Sequence, residues 1–103
     1  MKRIINGRTY DIGTSELVAE HIEASDTGDE VRTISLFRNG SGVYFTVEER
    51  EQKFDRDLTR TIFAWEVVGG PDRALEICEL LELTIFDDIP GLPPEAVVES
   101  RMG

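Results

Sequence analysis

The segment from Val31 to Val47 constrains the fold of this chain more than any other. Two runs, Val31 to Arg38 and Val43 to Val47, flank Asn39-Gly40-Ser41-Gly42. Glycine and asparagine reach the positive φ that tight connections demand, so turn residues between two period-two runs specify an antiparallel hairpin. Ile34 and Leu36 alternate with polar neighbours, and Val43, Phe45 and Val47 alternate with Tyr44 and Thr46. The expected result is one buried face carrying Ile34, Leu36, Val43, Phe45 and Val47.

Elements on either side can be read with the same logic. Asn6-Gly7 between Lys2–Ile5 and Arg8–Tyr10 predicts a small N-terminal hairpin over residues 2–10. Residues 14–24 are open: Leu17, Ala19 and His21 would share a strand face, whereas Leu17, Val18, His21 and Ile22 would share a helix face, and propensity slightly favours the helix. Asp26-Thr27-Gly28-Asp29 reads as a turn. Residues 48–60 hold five acids and four bases and read as a solvated loop or the first turns of a helix. The β-branched and aromatic run after them, with Phe63, Trp65 and Val67 alternating, predicts a strand at about 60–68.

Gly69-Gly70-Pro71-Asp72 then opens a helix ending near Leu83, with Ala74, Ile77, Cys78 and Leu81 as its apolar stripe and Asp72, Glu76 and Glu79 opposite. Thr84–Phe86 would be a short extended piece, and the prolines at 90, 93 and 94 break regular structure before a last short helix at 95–101. The expected fold class is α+β: a small antiparallel sheet built from the N-terminal hairpin, the central hairpin and a further strand, with one main amphipathic helix packed on it. With 103 residues, 40% of them apolar, the chain makes one domain over 1–103, with 84–103 an irregular C-terminal tail.

Catalytic chemistry finds little to work with. His21 has no Cys or second His at metal-ligand spacing, and Cys78 sits on the apolar stripe, where a thiol behaves as a small core residue. Gly40-Ser41-Gly42 lacks the lysine and following helix of a phosphate-binding loop. Glu48-Glu49 and Asp87-Asp88 are sequence neighbours, which point in different directions on any regular element. The residues therefore predict no enzyme, no metal and no cofactor; a hydrolase acting on RNA or nucleotides is the weakest reading. A single cysteine excludes an internal disulfide. No apolar run approaches the ~18 residues that span a bilayer, so the expectation is a cytoplasmic protein without a membrane partner.

The distribution of charge is more informative. Against 11 basic residues stand 21 acidic ones, a net charge of −10. Lys2, Arg3 and Arg8 make residues 1–10 basic, while residues 11–30 contain seven acids and no base, and a second acidic block follows residue 60. Such a surface repels phosphate backbones and excludes direct nucleic-acid binding. It fits a protein partner with a basic, nucleic-acid-binding surface. The candidate contact residues are Glu20, Glu23, Asp26, Asp29 and Glu30 in one block and Asp72, Glu76 and Glu79 in the other, the first expected to matter more because it is richer in charge and lies partly on a loop.

Met1-Lys2-Arg3-Ile4-Ile5-Asn6-Gly7-Arg8-Thr9-Tyr10-Asp11 with Thr14-Ser15-Glu16, together with Leu36-Phe37-Arg38-Asn39-Gly40-Ser41-Gly42-Val43-Tyr44-Phe45, resembles a family of small phage and plasmid proteins. That family shares an N-terminal module found in several anti-CRISPR proteins. The resemblance implies the order strand, hairpin, strand, helix, with 14–24 partly extended. It also implies a CRISPR inhibitor in the host bacterial cytoplasm; joined to the acidic blocks, whose charges can occupy the positions of successive phosphates, the expectation is a protein that binds a CRISPR effector subunit through acidic surface and, as a DNA mimic, blocks target DNA at the PAM. Ile12-Gly13 departs from the family pattern, and the tail after Leu83 has no counterpart in it. No catalytic residue carries over. The alternative is an interaction or adaptor module of a mobile element whose acidity serves solubility only.

Overall fold

The computed structural model describes residues 1–54 and 57–91. Strands β1 (Lys2–Ile5) and β2 (Arg8–Asp11) form the N-terminal hairpin, closed by Asn6 at φ 50° and Gly7 at φ 77°, two successive left-handed residues as a type I′ turn requires. A single 3-10 turn at Ile12–Thr14 leads into β3 (Glu16–Ala24), β4 (Glu30–Arg38), β5 (Tyr44–Phe54) and β6 (Asp57–Gly69). Helix α1 (Pro71–Leu80) and the two-residue β7 (Thr84–Ile85) follow. The main sheet has the order β6-β5-β4-β3-β7 with every pairing antiparallel, so the chain meanders from β3 to β6 and returns through α1 to the opposite edge. An antiparallel sheet with one helix packed on it is the α+β architecture expected from the sequence.

The central hairpin forms, but its apolar residues divide between two faces. The Asn39 amide donates to the Val43 carbonyl at 3.0 Å, so Asn39 and Val43 close the hairpin around only three residues. Gly42, at φ 79°, takes the left-handed position that ends such a loop. Asn39 Oδ1 accepts from the amides of Ser41 (3.0 Å) and Val43 (2.9 Å), fixing that geometry. Leu36 then lies opposite Thr46, and Phe37 opposite Phe45. Because side chains alternate along a strand, Ile34 and Leu36 point to one side of the sheet and Phe45 and Val47 to the other. The single buried face expected from the sequence is corrected to two.

Both faces are covered. On one, Ile34, Leu36, Tyr44, Val18 and Ala19 pack with Ala74, Ile77 and Cys78 of α1 and with Leu83 and Ile89 beyond it. On the other, the β1–β2 hairpin lays Tyr10 and Ile5 over Phe45, Val47, Phe37, Val43, Trp65 and Val67. Phe45 is wholly buried and central to an aromatic group, with ring centroids 5.3 Å from Tyr10, 5.5 Å from Phe37 and 6.0 Å from Trp65.

Three further expectations are revised. Residues 16–24 are strand, not helix, because β4 on one side and β7 on the other supply backbone partners that outweigh a weak helical propensity. The register shifts between Leu17 and Ala19, and the Val18 carbonyl at that bulge accepts the Phe86 amide at 2.8 Å. The charged stretch from residue 48 continues β5 to Phe54, and β6 begins at Asp57, earlier than expected. Helix α1 stops at Leu80 because Glu82 adopts φ 55° and the Leu83 amide returns to the Cys78 carbonyl at 2.9 Å, the cap of a left-handed helix end. The helix expected at 95–101 and the rest of the tail beyond Gly91 lie outside the described residues.

Candidate functional site

The acidic face of α1 follows directly from the helical repeat. Pro71 at the first position is preset for helical φ, and Asp72 in the first turn complements the helix dipole. Ala74, Ile77 and Cys78 point into the core, which leaves Asp72, Glu76 and Glu79 exposed on the far side, successive carboxylates about 5–6 Å apart at the Cβ atoms. Glu76 receives Arg73 at 2.8 Å in a solvent-exposed pair. Asp72 and Glu79 have no ion-pair partner among the described residues. Leu80 lies beside them, 73% exposed.

The first acidic block is not one surface. Glu20 is opposite Ser35 in the β3–β4 register, which sends it to the hairpin side of the sheet, whereas Glu23, opposite Arg32, points to the helix side. On that side Arg32 Nε donates to Glu48 at 2.9 Å and its guanidinium reaches Glu23 at 3.9 Å, while Arg50 Nε lies 3.1 Å from Glu30. Glu23, Ala24, Ser25, Glu30 and Arg32 line a shallow depression at this end of the sheet. Glu23 and Glu30 are thus partly neutralised by arginines from neighbouring strands. Asp26 and Asp29 alone stay exposed and without ion pairs among the described residues, in a turn where the Ser25 hydroxyl accepts the Glu30 amide at 3.2 Å.

The groups with nucleophilic or acid–base potential are placed differently. Cys78 is buried beneath α1, and burial pushes its thiol up to about 11, away from the reactive thiolate. His21 is half-buried on β3 opposite Ile34. Among the described residues no group of three or more His, Cys, Asp and Glu is placed to hold a metal ion. Arg38 is structural: it binds Glu16, Asp87 at 3.2 Å, the Asp88 carbonyl at 2.9 Å and the Tyr44 hydroxyl at 3.4 Å. It thereby ties β3, β4 and β5 to the segment after β7. No described helix is long and apolar enough to cross a membrane.

What sequence reasoning missed is the neutralisation. Arg32 and Arg50 are visible as bases in mixed runs, but only the strand register shows which carboxylates they reach. No family model, curated protein or solved structure matches the chain.

Proposed function

We propose that this protein is a non-catalytic inhibitor that docks through acidic surface onto the basic nucleic-acid-binding surface of a protein partner. The partner that the N-terminal resemblance suggests is a CRISPR effector subunit, with access to target DNA at the PAM as the step blocked. The observation that supports this reading most is the row of exposed carboxylates on α1, Asp72, Glu76 and Glu79, held in one arc by a helix whose other side is anchored in the core. A rigid row of negative charge can take the place of phosphates in a groove lined with arginine and lysine, and it gains association rate from the opposite field. Of the two acidic blocks, geometry favours this one: Glu20 points away from Glu23, which divides the first block between two faces, whereas the three α1 carboxylates share one arc and Asp72 and Glu79 have no ion-pair partner among the described residues.

Capture from cells carrying candidate effector complexes identifies the partner, and a DNA-binding assay with that effector measures inhibition. Wild-type binding should weaken steeply as salt rises, and Asp72→Lys/Glu76→Lys/Glu79→Lys should fold and abolish inhibition. Asp26→Lys/Asp29→Lys, which leaves the arginine pairs intact, should have the smaller effect. If both folded variants inhibit at wild-type potency, phosphate mimicry is wrong and the acidity serves solubility.

A further inference from the structure

The β1–β2 hairpin and α1 carry complementary patches on opposite sides of the molecule. Tyr10 and Ile5 face the sheet, so alternation turns Lys2, Ile4 and Thr9 outward. Ile4 is 72% exposed, and it lines an open groove with Lys2, Arg3 and Thr9. Neither Lys2 nor Arg3 has an ion-pair partner among the described residues. On the far side Leu80 stands equally exposed in a groove with Glu76 and Glu79. Each patch is one large aliphatic side chain beside like charges: Lys2 on the outward face of the hairpin, with Arg3, opposite Tyr10, reaching the groove from its edge, and Glu76 and Glu79 on the helix; the two patches have opposite sign.

We propose that this chain associates head to tail with second copies of itself, the hairpin of one copy seated on α1 of the next. Ile4 meets Leu80 and Lys2 meets Glu76 and Glu79, with Arg3 adding positive charge from the edge of the same groove and the exposed Arg73–Glu76 pair giving way. Every copy carries both patches, so the second copy is a partner whose complementarity is already built in. Because the patches differ and lie on opposite faces, the contact is heterologous, and each added copy leaves one hairpin and one helix free. The assembly grows as a short chain or closes as a ring; it does not stop at a two-fold dimer. The net charge of −10 opposes it, so association needs enough salt to screen distant charges while leaving contacts intact, as at about 0.15 M, where the Debye length is about 8 Å. The inference is independent of the proposed function, because the purified protein alone tests it. Its bearing on that function is that a docked copy covers the acidic face of α1.

Sedimentation velocity of the purified protein at about 0.15 M salt should show the weight-average sedimentation coefficient rising with concentration up to the millimolar range. Lys2→Glu/Arg3→Glu and Glu76→Lys/Glu79→Lys should each weaken association at least about tenfold, which is about 1.4 kcal/mol. Leu80→Ser, which alters no charge, should weaken it as well. Mixing the two charge-reversed variants should restore assembly, since each then offers the sign the other lacks. Each double substitution changes the charge by four, taking −10 to −14 and −6, so overall attraction between the variants cannot produce the rescue. A wild-type protein that stays monomeric at millimolar concentration overturns the proposal. So does association that the variants leave unchanged, or two weakened variants that fail to rescue each other.

Discussion

Replacing Phe45 by alanine tests the two-faced sheet at its most loaded point. The ring is fully buried, and Tyr10, Phe37 and Trp65 surround it at 5.3, 5.5 and 6.0 Å, the last two nearly parallel to it. Truncating a buried Phe costs about 3–5 kcal/mol, and each aromatic pair adds about 0.5–1.5 kcal/mol beyond area burial, so a site with three such pairs belongs near 4–5 kcal/mol. That is a large part of the ~5–15 kcal/mol that holds a domain folded. At about 4–8 °C per kcal/mol for a domain near this size, the melting temperature should fall by roughly 15–40 °C. Urea unfolding can be followed through Trp65, the only tryptophan, with far-ultraviolet circular dichroism as an independent probe because the substitution alters the indole's surroundings. Phe45→Leu, which refills part of the volume, should lose less. A loss below about 1 kcal/mol for the alanine variant would refute the assignment of Phe45 to the centre of the hairpin-side core.

Two further predictions concern the other face. The folded state raises the Cys78 thiol from an ordinary 9.0 to about 11, so it holds the proton more tightly than the unfolded chain; its contribution to stability should be constant below about pH 9 and be lost as pH rises toward 11, so stability should fall less steeply over that range in Cys78→Ala. Glu82 at φ 55° occupies a position where L side chains are strained, so Glu82→Gly should stabilise by about 0.5–1 kcal/mol, read as a higher urea midpoint at unchanged m-value.

Legibility in the sequence followed the range of the interactions responsible. Asn6-Gly7 and Gly42 specify turns by their own backbone preferences, so both hairpins can be located without knowing what they pack against. The stripe Ala74, Ile77, Cys78 is periodic within ten residues, and α1 is legible for the same reason. Glu16–Ala24 is built largely from residues that also suit helices, and only pairing to β4 and β7, the latter more than sixty positions away, makes it a strand. The continuation of β5 through Glu48 and Arg50 was hidden for a related reason. Charged residues read as solvated loop until Arg32 and Glu30 on the adjacent strand are seen to face them. The acidic block of residues 20–30 looked continuous because a sequence shows charge in one dimension, whereas strand alternation sends Glu20 and Glu23 to opposite sides.

The three-residue connection closed by Asn39 and Val43 separates the length of the chain from the packing of the two faces. Residues added there lengthen the loop and leave β5 in place, because a one-position slip would send Phe45 and Val47 under α1 and Tyr44 toward the hairpin, and burial on both faces holds the register against it. The loop lies on the surface, where extra length costs little entropy. Peptides inserted at Gly40–Ser41 should therefore keep the aromatic group around Phe45 intact at odd and even lengths alike, which the emission of Trp65 would report across a library.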